Sequence, residues 1–92
     1  MKQILPTEAA ERIRVMERCF DELQEAAARR PASLREDPDL RQRLQCLTRY
    51  YESGQWLHDY ELDEQGLLPR DLKRGVLAQD AVYEFLDTMK GT

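Results

Sequence analysis

Apolar residues spaced three and four apart dominate this chain and constrain it to helices. Ile13, Met16, Phe20, Leu23 and Ala27 form one stripe; Leu40, Leu44, Leu47 and Tyr51 form a second. No stretch alternates apolar and polar residues as a half-buried strand would. The punctuation between the stripes is equally legible. Thr7 reads as an N-cap, Glu8 and Glu11 suit the positive end of a helix dipole, and Pro31 stops a helix spanning about Glu8 to Arg30. Pro31 to Glu36 reads as a short polar connection of the length that joins antiparallel helices. Asp37-Pro38 opens the next helix with a capping acid and a proline at the first helical position, and Ser53-Gly54 ends it. The two stripes facing one another make a helical hairpin.

Beyond the hairpin the punctuation becomes dense. Ser53 is placed to cap a third, shorter helix carrying Trp56, Leu57 and Tyr60, and Gly66 fits the left-handed position after its end. Pro69 and Gly75 bracket one short helical turn from Arg70 to Arg74. A last helix follows from about Ala78 to Met89, with Val82, Phe85, Leu86 and Met89 on its apolar face. The expected fold is all-α: a single domain in which a long antiparallel helical hairpin, about residues 7–52, packs against a cap of short helices and a C-terminal helix, about residues 50–90. A compact chain of this size has a radius of gyration of roughly 12 Å.

Composition excludes several function classes. The 92 residues carry a net charge of −4, and a mildly acidic domain is a poor general binder of nucleic acid. The charge is uneven, however. Arg29 to Arg49 holds six arginines against three acids, and Glu52 to Glu64 holds five acids and no lysine or arginine. These two segments either attract one another within the domain or meet partners. No run approaches the roughly 18 apolar residues of a membrane span, and Ile4 and Leu5 do not make the core of a secretory signal. The expectation is a cytoplasmic protein with reduced thiols. Cys19 and Cys46 lack metal-ligand spacing and read as core or boundary fillers, with a disulfide inside the hairpin as the alternative.

The candidate functional residues concentrate between Tyr50 and Leu77. Tyr50, Tyr51, Trp56 and Tyr60 form an aromatic group that serves either as packing anchors or as a binding hot spot. Asp59 and Asp63 are four apart, so both carboxylates can share one helix face, where alone they would repel. Lys73 and Arg74 are the nearest available cations once the Gly66–Pro69 turn folds the chain back. An internal charge cluster of Asp63 or Glu64 with Arg74 is the preferred reading; a partner-binding surface and a catalytic pair are the alternatives. His58, the only histidine, reads as a surface residue, because zinc needs ligands this chain does not space correctly. No nucleophile elbow, phosphate loop or dinucleotide fingerprint is present. Neither catalytic residues, nor a metal, nor a cofactor is expected.

The run Tyr50-Tyr51, Trp56, Tyr60, Asp63-Glu64, Gly66-Leu67-Leu68-Pro69, Asp71-Leu72-Lys73-Arg74-Gly75-Val76-Leu77 and Asp80 resembles a small bacterial family known as domain of unknown function 4298. The likeness is close from Tyr50 to about Leu86 and only a matter of pattern in the hairpin. Ala78 departs from it, standing where the family is expected to carry a serine N-cap. The resemblance implies a small helical bacterial protein and no assigned activity. The residues and the resemblance together favour a non-enzymatic protein-interaction or adaptor module whose partner meets Trp56, Asp63, Glu64, Lys73 and Arg74. Three alternatives stay open. One is a self-associating regulatory subunit, a homodimer joined through the Ile13–Ala27 stripe. Another is a small enzyme or cation-binding protein using His58, Asp59, Asp63 and Glu64. The last is nucleic-acid contact through Arg35, Arg41, Arg43 and Arg49.

Overall fold

The computed structural model describes residues 6–78 and 80–90. Among them are five α-helices and one 3₁₀ turn, with no strand: α1 (Pro6–Arg29), α2 (Ser33–Glu36), α3 (Pro38–Glu52), α4 (Gln55–Glu64), the turn Gly75–Leu77, and α5 (Ala81–Lys90). The fold is therefore all-α. Its radius of gyration is 13.6 Å and its extents are 37 × 28 × 20 Å, flatter than a sphere of this chain length would be.

The hairpin forms as its stripes dictate. Ile13, Phe20 and Leu23 of α1 are buried, with Met16 and Ala27 packed at their edges; Leu47 of α3 meets them, flanked by Leu40 and Leu44. The α1 stripe is thus consumed inside the chain's own core. Asp37 caps α3, its Oδ1 accepting from the Asp39 and Leu40 amides at 2.9 and 3.4 Å. Arg43 Nη1 reaches back to Glu22 Oε2 at 2.9 Å, tying α3 to α1.

Local structure differs from expectation at several points, each for a physical reason. The helix α1 already includes Pro6, so Thr7 lies inside its first turn and is not a cap; Ile4 and Leu5 lie outside the described residues. Ser33 to Glu36 is a one-turn helix, not an open loop, because Leu34 is pulled fully into the core. On α3 it is Tyr50, 2% exposed, that faces inward, while Tyr51 is only half-buried. Gly54, at φ 91°, is the N-cap of α4, and Ser53 Oγ only assists by accepting from the Gln55 amide at 3.4 Å. Residues 70–74 form no helix beyond a single turn, in which the Leu72 amide donates to the Pro69 carbonyl at 3.3 Å. The last helix starts at Ala81, and Ala78 sits in extended backbone ahead of it, its carbonyl accepting from the Ala81 amide at 3.1 Å.

The end of α4 follows the anticipated geometry. Gly66 adopts φ 71°, the Gly66 amide donates to the Asp63 carbonyl at 3.0 Å, and the Leu67 amide donates to the Leu62 carbonyl at 3.1 Å. These are the paired bonds of a Schellman motif, which needs a residue without a Cβ penalty in the left-handed region. They turn the chain sharply, so that Leu68, Leu72, Val76 and Leu77 drop back onto the core. Phe20 and Phe85 meet edge to face at 5.5 Å and fix α5 against α1.

Candidate functional site

The Tyr50–Leu77 segment is held by three interlocking contacts. The first is centred on Asp59, whose residue surface is wholly buried. Trp56, Asp59 and Leu62 share the inner face of α4, so the helix period itself drives this carboxylate into the core. A buried carboxylate needs a cation and donors. Arg12 of α1 supplies both in a two-pronged ion pair: its Nε donates to Asp59 Oδ2 at 2.9 Å and its Nη2 to Asp59 Oδ1. The Tyr50 hydroxyl of α3 donates to Asp59 Oδ2 at 2.6 Å. One carboxylate thereby joins three helices.

The electrostatics follow from this packing. The hydrogen bond to Asp59 raises the Arg12 pKa against the opposing effect of burial. Burial, reinforced by the bond to Asp59, pushes the Tyr50 phenol well above its ordinary value of 10. A raised phenol pKa stabilises the fold fully below the unfolded value. Above pH 10 an unfolded chain releases this proton while the folded one keeps it, so stability falls as pH rises through that range. Wild-type protein should lose up to about 1.4 kcal/mol per pH unit there from this group. In Tyr50→Phe that component of the alkaline slope should vanish, which urea melts between pH 9 and 11 measure.

The second contact grips the peptide units around Val76 from both sides. Trp56 Nε1 donates to the Val76 carbonyl at 2.8 Å, and Glu17 Oε2 accepts from the Val76 amide at 2.6 Å. Glu17 is 8% exposed although it lies on α1, four residues after Ile13 and three before Phe20. Its carboxylate acts as the cap of the 3₁₀ turn. The approach is close: a Cβ on Gly75 would stand 2.7 Å from Glu17 Oε1. Glycine is needed there for space, not for its φ. Gly75→Ala should push the Glu17 carboxylate off Val76 and cost about 1.5–3 kcal/mol, the worth of a hydrogen bond to a charged group. Placed in a Glu17→Ala background, the same substitution should cost far less, and equilibrium unfolding of the four proteins tests this coupling.

The third contact organises residues 69–74 around one guanidinium. Arg74 Nε donates to Asp63 Oδ1 at 2.6 Å, Nη1 to the Arg70 and Leu72 carbonyls at 3.2 and 2.8 Å, and Nη2 to the Pro69 carbonyl at 2.6 Å. The loop's carbonyls thus converge on one side chain, which explains why the single turn at Pro69–Leu72 does not continue as a helix.

The aromatic group is partly internal and partly presented. Trp56 lies against Tyr51 at 5.3 Å and stacks on Tyr60 at 5.2 Å with 18° between ring planes. The hydrogen bond from Tyr60 to Glu64 raises the Tyr60 pKa. Lys73 and Glu64 are exposed, whereas Trp56, Asp63 and Arg74 are turned into the contacts above.

The acidic alternative loses its geometry. Asp59 and Asp63 do not share a site, since each is neutralised by its own arginine, and among the described residues no three histidine, cysteine or acidic side chains could hold a metal ion. His58 is only half-exposed, with Nε2 buried and without a hydrogen-bond partner, so it is not the plain surface residue expected. Three arginines of the basic segment find their partners outside the acidic one. Arg29, Arg30 and Arg43 pair with Glu25, Glu36 and Glu22, all outside Glu52–Glu64. Arg41 and Arg49 remain exposed on α3.

Sequence reasoning missed Arg12 and Glu17. The available signal was a charge on an apolar stripe: Glu17 between Ile13 and Phe20, and Asp59 between Trp56 and Leu62. Among the described residues no helix is long and apolar enough to cross a membrane.

A family model described as Domain of unknown function (DUF4298) matches residues 13–92. No curated protein and no solved structure matches the chain.

Proposed function

We propose that this chain, which belongs to the DUF4298 family, is a non-enzymatic protein-interaction module of the bacterial cytoplasm. The observation that carries this reading is the outer face of α4. Leu57 is 52% exposed, Leu67 just past the helix end is 51% exposed, and Glu61 and Glu64 follow Leu57 at helical spacing on the same exposed side. Trp56, Asp63 and Arg74 support that face from within, so it is presented by a braced element and binds with little ordering cost. Two apolar anchors beside unneutralised carboxylates fit a partner segment with apolar side chains flanked by lysine or arginine.

Capture from a lysate of the source organism, at low and at moderate salt, tests this. The tagged domain should retain a protein bearing such a basic, apolar segment, and lose it as salt rises. Leu57→Asp with Leu67→Asp should abolish the retention without altering the melting temperature, whereas Arg41→Ala on α3 should not. The same proteins retained by all three forms would contradict the proposal.

A further inference from the structure

The two cysteines lie on the paired helices of the hairpin, Cys19 on α1 and Cys46 on α3. The Cys19 thiol of α1 donates to the Arg43 carbonyl of α3 at 3.4 Å. Cys46 is three residues beyond Arg43, one helical turn along the same side, and helical side chains lean back towards the N-terminus over that preceding turn. Both thiols are free; Cys46 is exposed and Cys19 is half-buried. Burial, and then the proximity of Cys46, push the Cys19 thiol up to about 11. A disulfide needs Cβ atoms about 3.5–4.5 Å apart, so closure requires the two thiols to come together across the α1–α3 contact.

We propose that Cys19 and Cys46 form a reversible oxidation site that closes into a disulfide joining α1 to α3. The oxidant is a low-molecular-weight disulfide of the glutathione class. The exposed Cys46 thiolate attacks one sulfur of that disulfide, forming a mixed disulfide and expelling one glutathione thiolate. Cys19 then gives its proton to solvent and attacks Cys46 Sγ. The Cys19–Cys46 bond forms, the bond from Cys46 to glutathione breaks, and the second glutathione thiolate leaves. Two protein thiols are oxidised by two electrons, and one small disulfide is reduced to two thiols. The half-buried Cys19 must give up its proton before it attacks, so the second step is the slower and the single adduct accumulates first.

Intact-mass spectrometry of the folded protein in oxidised glutathione tests the proposal. Wild type should pass through a single glutathione adduct and end about 2 Da lighter than the reduced chain, as loss of two hydrogens requires. Cys19→Ser should stop at the adduct, and Cys46→Ser should neither gain an adduct nor close. The closed form should melt higher than the reduced form by roughly 10 °C, because the cross-link restricts the unfolded chain. A wild type that stops at the adduct, stays unreacted, links only between chains, or closes only after unfolding in urea would overturn it.

Discussion

Replacing Arg12 by methionine should cost about 3–5 kcal/mol at pH 7, the loss that follows when one member of a buried ion pair is removed. The size comes from Asp59, which is wholly buried and would keep only the Tyr50 hydroxyl as a donor. A 92-residue domain has about half of its total stability at stake in such a change, since the total for a chain this size is about 5–14 kcal/mol. Replacing the trio together, as Arg12→Met, Asp59→Leu and Tyr50→Phe, should recover much of the loss, because an apolar cluster leaves no charge stranded. Urea melts of the single and triple variants at pH 7 supply the numbers.

The second large effect is expected at Trp56. Truncation to alanine removes a side chain that is 9% exposed, stacks on Tyr60 and holds the Val76 carbonyl, and it should cost about 3–5 kcal/mol. Trp56→Phe separates packing from bonding. The ring remains, the indole N–H is lost, and the stranded carbonyl should account for about 1–3 kcal/mol. Both variants lose the only tryptophan and its fluorescence, so circular dichroism follows the unfolding of all three proteins.

These expectations show where the sequence was legible. The helices around Ile13–Ala27 and Leu40–Leu47 follow from periodicity, and Asp37-Pro38 and Gly66 follow from the chemistry of helix ends. The Asp63–Arg74 pair could be anticipated because the Gly66–Pro69 turn leaves few other cations near. Other features required the third dimension. Arg12 and Asp59 are 47 residues apart, and no local rule joins them. Glu17 looks like one more solvated acid until Val76 is found beneath it. Residues 70–74 carry helix-bracketing residues at both ends, yet Arg74 draws their carbonyls to its own guanidinium. Leu34 is surrounded by polar neighbours, and only burial against the hairpin explains its one-turn helix. The candidate recognition surface shifted for the same reason: Trp56, Asp63 and Arg74, grouped with Glu64 and Lys73 as partner-facing residues, are engaged in contacts within the chain, whereas Leu57 and Leu67 are exposed.

At the centre of this account is the claim that the family motif is an internal brace that opens only with the whole domain. Native-state hydrogen exchange at the Trp56 indole N–H and the Val76 amide, which hold opposite sides of the same turn, tests it most directly. If the brace is integral, both protons should exchange with an opening free energy within about 1 kcal/mol of the global unfolding value. Exchange several kcal/mol below that value would contradict the account, because it would show a cap that detaches while the hairpin stays folded.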